Sequence, residues 1–137
     1  MKYLGLDVGE KTIGVAVSDD LGWTAQGVTT IQRQSWEQDL RALKNLIQEY
    51  GVSDIIVGLP LNMNGTEGPK AVEMRAFIKK LEQEQFSVVA WDERLSTMGA
   101  ERVLLEADLS RAKRKKVINK MAAAFILQGY LDSKRGG

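Results

Sequence analysis

The chain opens with two short apolar runs separated by a few turn-forming residues. The first run covers residues 3–6 and ends on Asp7, and the second covers residues 12–17. Gly9 lies between them, so the pattern predicts two strands joined by a tight turn. Aspartate is uncommon in strands because its short side chain competes for backbone hydrogen bonds. Asp7 is therefore either a strand-end carboxylate that accepts a nearby backbone N–H or a metal ligand on a rigid strand.

The bulk composition predicts one compact domain over residues 1–137. The chain has 137 residues, of which 44% are hydrophobic, and this length allows a full core. Charged residues make up 27% and the net charge is +1, which argues against disorder. No run of eighteen apolar residues and no charged-then-apolar leader occurs in the sequence. We therefore expect a cytoplasmic protein with no membrane partner.

The chain has neither cysteine nor histidine, which removes whole classes of chemistry. Without cysteine there is no disulfide, thiolate zinc site or cysteine nucleophile. Without histidine, a Ser-His-Asp triad, a His-ligated zinc and a histidine general base are all impossible. Carboxylates without imidazole favour hard cations, chiefly Mg²⁺ or Mn²⁺.

Apolar periodicity predicts a mixed α/β order, β-β-β-α-β-α-β-α. An antiparallel meander of three strands comes first, and the helical crossovers that follow imply parallel strands. Ser35 and Gln38 form a capping-box pair before the first helix, and Gly51 ends it. The remaining predicted elements are a third strand over about 22–31, strands over 53–58 and 86–91, a second helix with its apolar stripe over 71–81, a third helix over about 97–107, a basic stretch before the last helix, and a frayed end over 133–137.

Four motifs resemble those of the YqgF family, in that family's order. The members of this family are RuvC-like Holliday junction resolvases, also described as pre-16S rRNA nucleases. The resemblance implies a ribonuclease H-like fold, in which a five-stranded mixed sheet is flanked by helices. The matching residues are 5–9 with 11–16 (GLDVG, KTIGVA), 57–60 with Gly65 (VGLP), 92–97 (DERLST), and 115–123 with 126–128 (KKVINKMAA, ILQ).

The resemblance implies a carboxylate site that holds two divalent ions, Mg²⁺ or Mn²⁺. Its ligands would be Asp7, Glu93 and position 119, with Asp92 as an auxiliary ligand. The family usually carries Asp at the last position, where this chain has Asn119. An amide can ligate through its carbonyl oxygen but brings one negative charge fewer, so we expect weaker binding of one ion and weaker activity. Asn119 would also support a nucleic-acid-binding factor with little catalysis.

Basic residues gather next to this proposed site. Most charge runs are solvated faces, but a polyanionic substrate beside an acidic metal site favours binding of the nucleic-acid backbone. Arg94 either stabilises transition-state charge or forms a structural salt bridge. The loop with Asn62 and Asn64 follows a parallel strand's carboxyl end, where α/β proteins often bind ligands. The six clustered cations are Arg111, Lys113, Arg114, Lys115, Lys116 and Lys120.

The predicted function is metal-dependent hydrolysis of phosphodiester bonds in structured nucleic acid. The resemblance favours processing of the 5′ end of pre-16S rRNA in ribosome biogenesis, with Holliday junction resolution in DNA recombination as the alternative. The partner is accordingly an rRNA precursor or branched DNA. A homodimer would suit a symmetric junction, but no sequence feature requires one, and a monomer stays open.

Overall fold

The computed structural model describes residues 1–93 and 111–136, and the side chains of 1–93 and 120–135. The strands are β1 (Tyr3–Val8), β2 (Thr12–Ser18), β3 (Ala25–Gln32), β4 (Asp54–Leu59) and β5 (Ser87–Asp92). The helices are α1 (Trp36–Tyr50), α2 (Pro69–Gln83) and α3 (Arg111–Gly136). The helix predicted over 97–107 lies outside the described residues.

The five strands form one mixed sheet in the order β3-β2-β1-β4-β5. β1 pairs antiparallel with β2, and β2 pairs antiparallel with β3. β1 and β4, and then β4 and β5, are parallel. The predicted meander followed by parallel strands is confirmed, and it puts β1, the strand of Asp7, at the centre of the sheet.

The third strand begins later than the sequence predicts, at Ala25 rather than near Gly22. Residues 19–24 form a turn instead, because the Asp19 carboxylate accepts a hydrogen bond from the Trp23 backbone N–H at 2.7 Å. Gly22 has a φ of 69° there, in the left-handed region. The predicted start of the strand was wrong because the hydrogen bond from the Trp23 N–H to the Asp19 side chain competes with strand pairing.

Helix α1 begins and ends where the sequence predicts. The Ser35 side chain accepts from the Gln38 backbone N–H, and the Gln38 side chain accepts from the Ser35 N–H, so the capping box is complete. At the other end Gly51 adopts a left-handed conformation with φ 65°, and its N–H donates to the Ile47 carbonyl. The cap residues alone therefore fixed both helix ends.

Helix α3 differs from the prediction at both ends. The basic stretch from Arg111 onward lies inside the helix rather than before it, because Arg and Lys are good helix formers. The predicted fraying at 133–137 is also wrong, since the helix continues to Gly136. Lys134 donates to the Tyr3 hydroxyl at 2.7 Å and Arg135 stacks on the Trp23 ring at 5.1 Å. Neither end of this helix could be placed from periodicity alone.

The helices cover opposite faces of the sheet. One face packs the aliphatic side chains of β1, β2 and β4 against α1 and α2, in a cluster that includes Leu4, Leu6, Leu43, Phe77 and Leu81. The other face packs α3 on Tyr3, Ala16 and Ile56. Because strand side chains alternate between faces, successive residues of β1 belong to these two layers. Among the described residues, no helix is long and apolar enough to cross a membrane.

Helix α3 approaches the sheet closely where strands have glycine. A Cβ on Gly27 of β3 would lie 2.8 Å from the Lys120 carbonyl oxygen. A Cβ on Gly5 of β1 would lie 2.7 Å from Leu127 Cβ and 3.0 Å from the Ala123 carbonyl oxygen. Distances this short leave no room for a side chain. The helix therefore crosses β3 and β1 at backbone contact distance.

Candidate functional site

Asp7 lies at the carboxyl end of the central strand, on the sheet face that α3 covers. Two residues earlier in β1, Gly5 faces Leu127 of α3, so alternation gives Asp7 the same face. Asp7 pairs with Gly14 across the antiparallel ladder. Its side chain is half-buried, and it is among the residues with a polar interaction. The strand thus presents a partly desolvated carboxylate at a fixed position.

Glu93 lies directly after β5, and its side chain extends over β4. A Cβ on Gly58 would lie 2.7 Å from Glu93 Oε1 and 3.1 Å from Glu93 Cγ. Gly58 comes one residue after Val57, the β4 residue paired with Leu6, so it is the β4 neighbour of Asp7. Asp7 and Glu93 therefore lie at the same end of the sheet and on the same face.

Asp92 is placed differently from Glu93. Trp91, the residue before it, packs against Gly129 of α3, whose Cβ would lie 3.1 Å from Trp91 Nε1. Strand alternation then puts the Cβ of Asp92 on the face of α1 and α2. The auxiliary role for Asp92 stays a prediction, and Glu93 is the acid that shares the face of Asp7.

Position 119 belongs to the helix face that covers both of these strands. Ala123 and Ile126 follow it by four and seven residues and therefore share its side of α3. The Ala123 carbonyl lies over Gly5 of β1, and Ile126 Cδ1 lies over Gly58 of β4. Both residues are buried. The side chain of Asn119 lies outside the described residues, so its part in the site stays a prediction.

The described residues supply only part of a ligand set for a hard cation. Within 1–93 and 111–136, no three Asp, Glu, His or Cys residues form a cluster that could hold a metal ion. Two carboxylates, Asp7 and Glu93, share the face and the end of the sheet, and oxygen ligands of this kind suit Mg²⁺ and Mn²⁺. A third oxygen ligand from position 119 stays a prediction.

The turn that follows Asp7 is held by a residue the sequence prediction missed. Arg33 Nη1 donates to the Gly9 carbonyl at 2.6 Å, and the Arg33 N–H donates to the Lys11 carbonyl at 2.8 Å. Asp39, only 3% exposed, lies 3.7 Å from Arg33 Nε and accepts from the Gln34 N–H at 3.0 Å. Arg33 thereby joins the β1–β2 turn to the start of α1. The position of Arg33, a charged residue between the end of β3 and the N-cap Ser35, was the sequence signal that could have indicated this role.

The predicted nucleic-acid-binding residues divide into two groups. Lys120 is half-buried on α3, above the edge strand β3. The backbone of the other five clustered cations forms the first turns of the same helix, while their side chains lie outside the described residues. Arg94 lies outside them entirely. All seven roles stay predictions, and Lys120 is the one cation among them whose side chain the structure describes.

Asn62 and Asn64 shape the loop after β4. Asn64 Oδ1 accepts from the Thr66 hydroxyl at 2.7 Å and from the Thr66 N–H at 3.1 Å. The Asn62 side-chain amide donates to the Thr66 hydroxyl at 3.0 Å. These bonds give both side chains a role inside the loop, and a direct contact with nucleic acid stays a prediction.

The family model and similar named relatives point to the same family. Residues 1–133 match the family described as RuvX: Holliday junction resolvase. A protein of Symbiobacterium thermophilum is 62% identical over 98% of this chain and 94% of its own length. One of Desulforamulus reducens is 58% identical over 97% of this chain and 98% of its own length. Both carry the name "Putative pre-16S rRNA nuclease".

Solved structures agree on the fold. RuvC of Thermus thermophilus, in complex with a Holliday junction substrate, superposes with a TM-score of 0.60 at 13% identity, over 99% of this chain and 96% of that one. The fowlpox virus Holliday junction resolvase gives a TM-score of 0.55 at 15% identity, over 97% and 99%. The ribonuclease H-like fold predicted from the motifs is confirmed.

Proposed function

The chain belongs to the RuvX family, and from that membership we propose that it is a divalent-metal-dependent nuclease that processes the 5′ end of pre-16S rRNA. The observation that carries the metal site is the meeting of two carboxylates. Asp7 at the end of β1 and Glu93 over Gly58 of β4 share one face and one end of the sheet. Two neighbouring carboxylates disfavour each other's charged form, and a bound divalent cation offsets this repulsion.

Asp7, Glu93 and Asn119 would hold the cation, and a bound divalent ion activates a water and stabilises the leaving oxygen in phosphodiester hydrolysis. The protein's part is to fix the ligands. Asp7 is held on the central strand between two paired neighbours. The side chains of Glu93 and of Ile126 of α3 both lie against Gly58, so that glycine leaves the space that Glu93 occupies. The cations at the start of α3 would hold the phosphate backbone of the substrate against this end of the sheet.

A second candidate is resolution of four-way DNA junctions, which the description of the matched family favours. A third is a nucleic-acid-binding factor with little catalysis, which Asn119 favours because it lowers the charge of the ligand set. All three share the binding surface. They differ in the substrate that is cleaved and in whether Asn119 supports cleavage.

The test compares the natural chain with Asn119→Asp, Asp7→Asn and Glu93→Gln. Each is incubated with a pre-16S rRNA fragment or a four-way DNA junction in Mg²⁺ or Mn²⁺, and the products are resolved on a gel. We expect cleavage of the rRNA fragment, a faster rate for Asn119→Asp, and at least a hundredfold loss for each carboxylate variant, since loss of one charge-stabilising group costs 10²–10³. Glu49→Gln, an exposed change on α1, is the matched control.

The outcomes separate the candidates. Cleavage of the junction but not of the rRNA fragment would replace the first candidate by the second. Salt-sensitive binding without products, even in Asn119→Asp, would support the third. If Asp7→Asn and Glu93→Gln cleave as fast as Glu49→Gln, the carboxylate site is wrong.

A further inference from the structure

A polar cleft lies along the edge strand β3, beside the proposed metal site. Its volume is about 360 Å³, and none of the described residues that line it is acidic. Lys120 of α3 forms one wall and the strand forms the other. The lining residues are Val28, Thr29, Thr30, Gln32 and Lys120.

Two groups at this cleft lack the partners that they would be expected to have. The Lys120 side chain makes no salt bridge or hydrogen bond with any described residue. The Thr30 hydroxyl oxygen is buried and has no hydrogen-bond partner among the described residues. An unsatisfied buried hydroxyl costs about 1–3 kcal/mol, so its presence is informative. A cation and a free donor at one cleft are suited to an anionic oxygen ligand.

The cleft is aligned with Asp7 across the sheet. Thr30 of β3 pairs with Gly14 of β2, and Gly14 pairs with Asp7 of β1. Paired residues share a face, so Thr30 and Asp7 lie on the face that α3 covers. Two strand spacings separate them, which is about 10 Å. A nucleic-acid strand cut at Asp7 could thus place a neighbouring phosphate beside Lys120.

We propose that this cleft binds a phosphate group of the nucleic-acid backbone, next to the phosphate that is cut at Asp7 and Glu93. The proposal rests on the proposed function for its substrate class. Lys120 supplies the charge, the Thr30 hydroxyl donates a hydrogen bond after rotation of its side chain, and Gln32 offers a second donor. This assigns a substrate-positioning role to the edge strand β3.

A cleft on the opposite face shows the contrast. It also measures about 360 Å³, but it is lined by Glu10, Asp39 and Glu73 as well as by Arg33 and Lys80. Arg33 already contacts Asp39 and the Gly9 carbonyl. Three carboxylates repel a phosphate, and the arginine is committed to the fold. The cleft at β3 has the charge pattern of a phosphate site, whereas this one does not.

The experiment measures binding of fluorescently labelled rRNA-fragment and four-way DNA probes by anisotropy, in EDTA, over a range of KCl concentrations. Lys120→Gln should lower the salt slope by about 0.7–0.9 and raise Kd about five- to tenfold at 0.1 M salt, because one phosphate contact is lost. Thr30→Val should raise Kd about tenfold, the effect of one hydrogen bond to a charged oxygen. Lys79→Gln, exposed on α2 behind the sheet, removes the same charge as a control.

Thermal melting separates binding from folding. Thr30→Val removes a hydroxyl that has no hydrogen-bond partner in the part of the chain that the structure describes. Its melting temperature should therefore equal or exceed that of the natural chain. A lower melting temperature with unchanged Kd would make Thr30 structural and overturn its role. Inorganic phosphate added at matched ionic strength should compete with the probe for the natural chain and less for Lys120→Gln, if a single phosphate group is what is recognised.

The failure of this proposal differs from failure of the proposed function. If the natural chain binds the probes and both cleft variants match Lys79→Gln in Kd and salt slope, the phosphate site is wrong and the nuclease assignment is untouched. If the cleft variants bind weakly while no variant ever cleaves, the phosphate site stands and the nuclease assignment falls. A natural chain that binds neither probe overturns both.

Discussion

The carboxylate of Glu93 fills the space that a side chain on Gly58 would need. A Cβ there would come 2.7 Å from Glu93 Oε1 and 2.6 Å from Ile126 Cδ1. Gly58 also pairs with Trp91, two residues before Glu93. A residue with no functional group of its own therefore determines where the second acid of the site lies.

Gly58→Ala should reduce cleavage more than it reduces stability. The new methyl must displace Glu93 or Ile126, and overpacking of this kind costs about 1–3 kcal/mol. Gly5→Ala is the matched control, since its Cβ would meet Leu127 and the Ala123 carbonyl but no carboxylate. Urea unfolding and cleavage rates are measured for both. If both variants lose the same cleavage activity for each kcal/mol of lost stability, Gly58 has no special role in positioning Glu93.

Metal binding should stabilise the folded chain through Asp7 and Glu93. At Mn²⁺ concentrations a hundredfold above Kd, the free energy of unfolding should rise by about 2.7 kcal/mol. Asp7→Asn and Glu93→Gln should lose this gain, and Asn119→Asp should reach it at lower Mn²⁺ because the added charge favours the cation. Thermal melting with and without Mn²⁺ measures the effect without any substrate. An undiminished shift in Asp7→Asn would exclude that residue as a ligand.

Arg33 and Asp39 should be coupled energetically. Arg33→Met removes the hydrogen bond to the Gly9 carbonyl and leaves Asp39 buried without its cation, so we expect about 1–3 kcal/mol of destabilisation. In an Asp39→Asn background the cost should be smaller by at least 0.5 kcal/mol. The exposed pair of Lys44 and Glu84, 3.2 Å apart, serves as a control with weaker coupling. If the losses in free energy of unfolding from the two changes simply add in urea unfolding, Arg33 and Asp39 are not coupled.

Asp19 should make the stability depend on acid pH. Its pKa lies below the ordinary value because the Trp23 backbone N–H donates to the carboxylate, and desolvation opposes this only in part. A lowered pKa means that the contribution is present above the ordinary pKa of about 3.9 and is lost as the pH falls through the lower folded value. Asp19→Asn should therefore melt earlier than the natural chain at pH 6. The two melting curves should converge once the pH has fallen below the lowered folded pKa, and a gap that stays constant into strong acid would contradict this assignment.

The sequence predicted the features that depend on local patterns or on motifs. Strand alternation and cap residues placed β1, β2 and both ends of α1. The motifs predicted the family, which the comparisons confirm. The start of β3 was missed because the bond from the Trp23 N–H to Asp19 overrides the apolar pattern. The length of α3 was missed because tertiary contacts at Lys134 and Arg135 hold its end.

The parts of the site that the sequence did not predict arise from packing between distant segments. Nothing local marks Gly58 as the residue beneath Glu93, since the two lie on different strands. The role of Arg33 depends on a carbonyl 24 residues earlier in the chain. Thr30 becomes notable only when its hydroxyl is found buried and without a partner among the described residues. Such relations exist only after the sheet and α3 have come together.

Helix α3 also sets a fixed length scale. Position 119 and the basic residues from Arg111 onward belong to one uninterrupted helix, in which eight residues span about 12 Å. Backbone contacts at Gly5 and Gly27 fix where that helix rests on the sheet. The distance along the helix between position 119, the proposed third ligand, and Arg111, the first of the clustered cations, is thus set before any substrate arrives. Under the proposed function, a nucleic acid must match this distance to be bound at both positions at once.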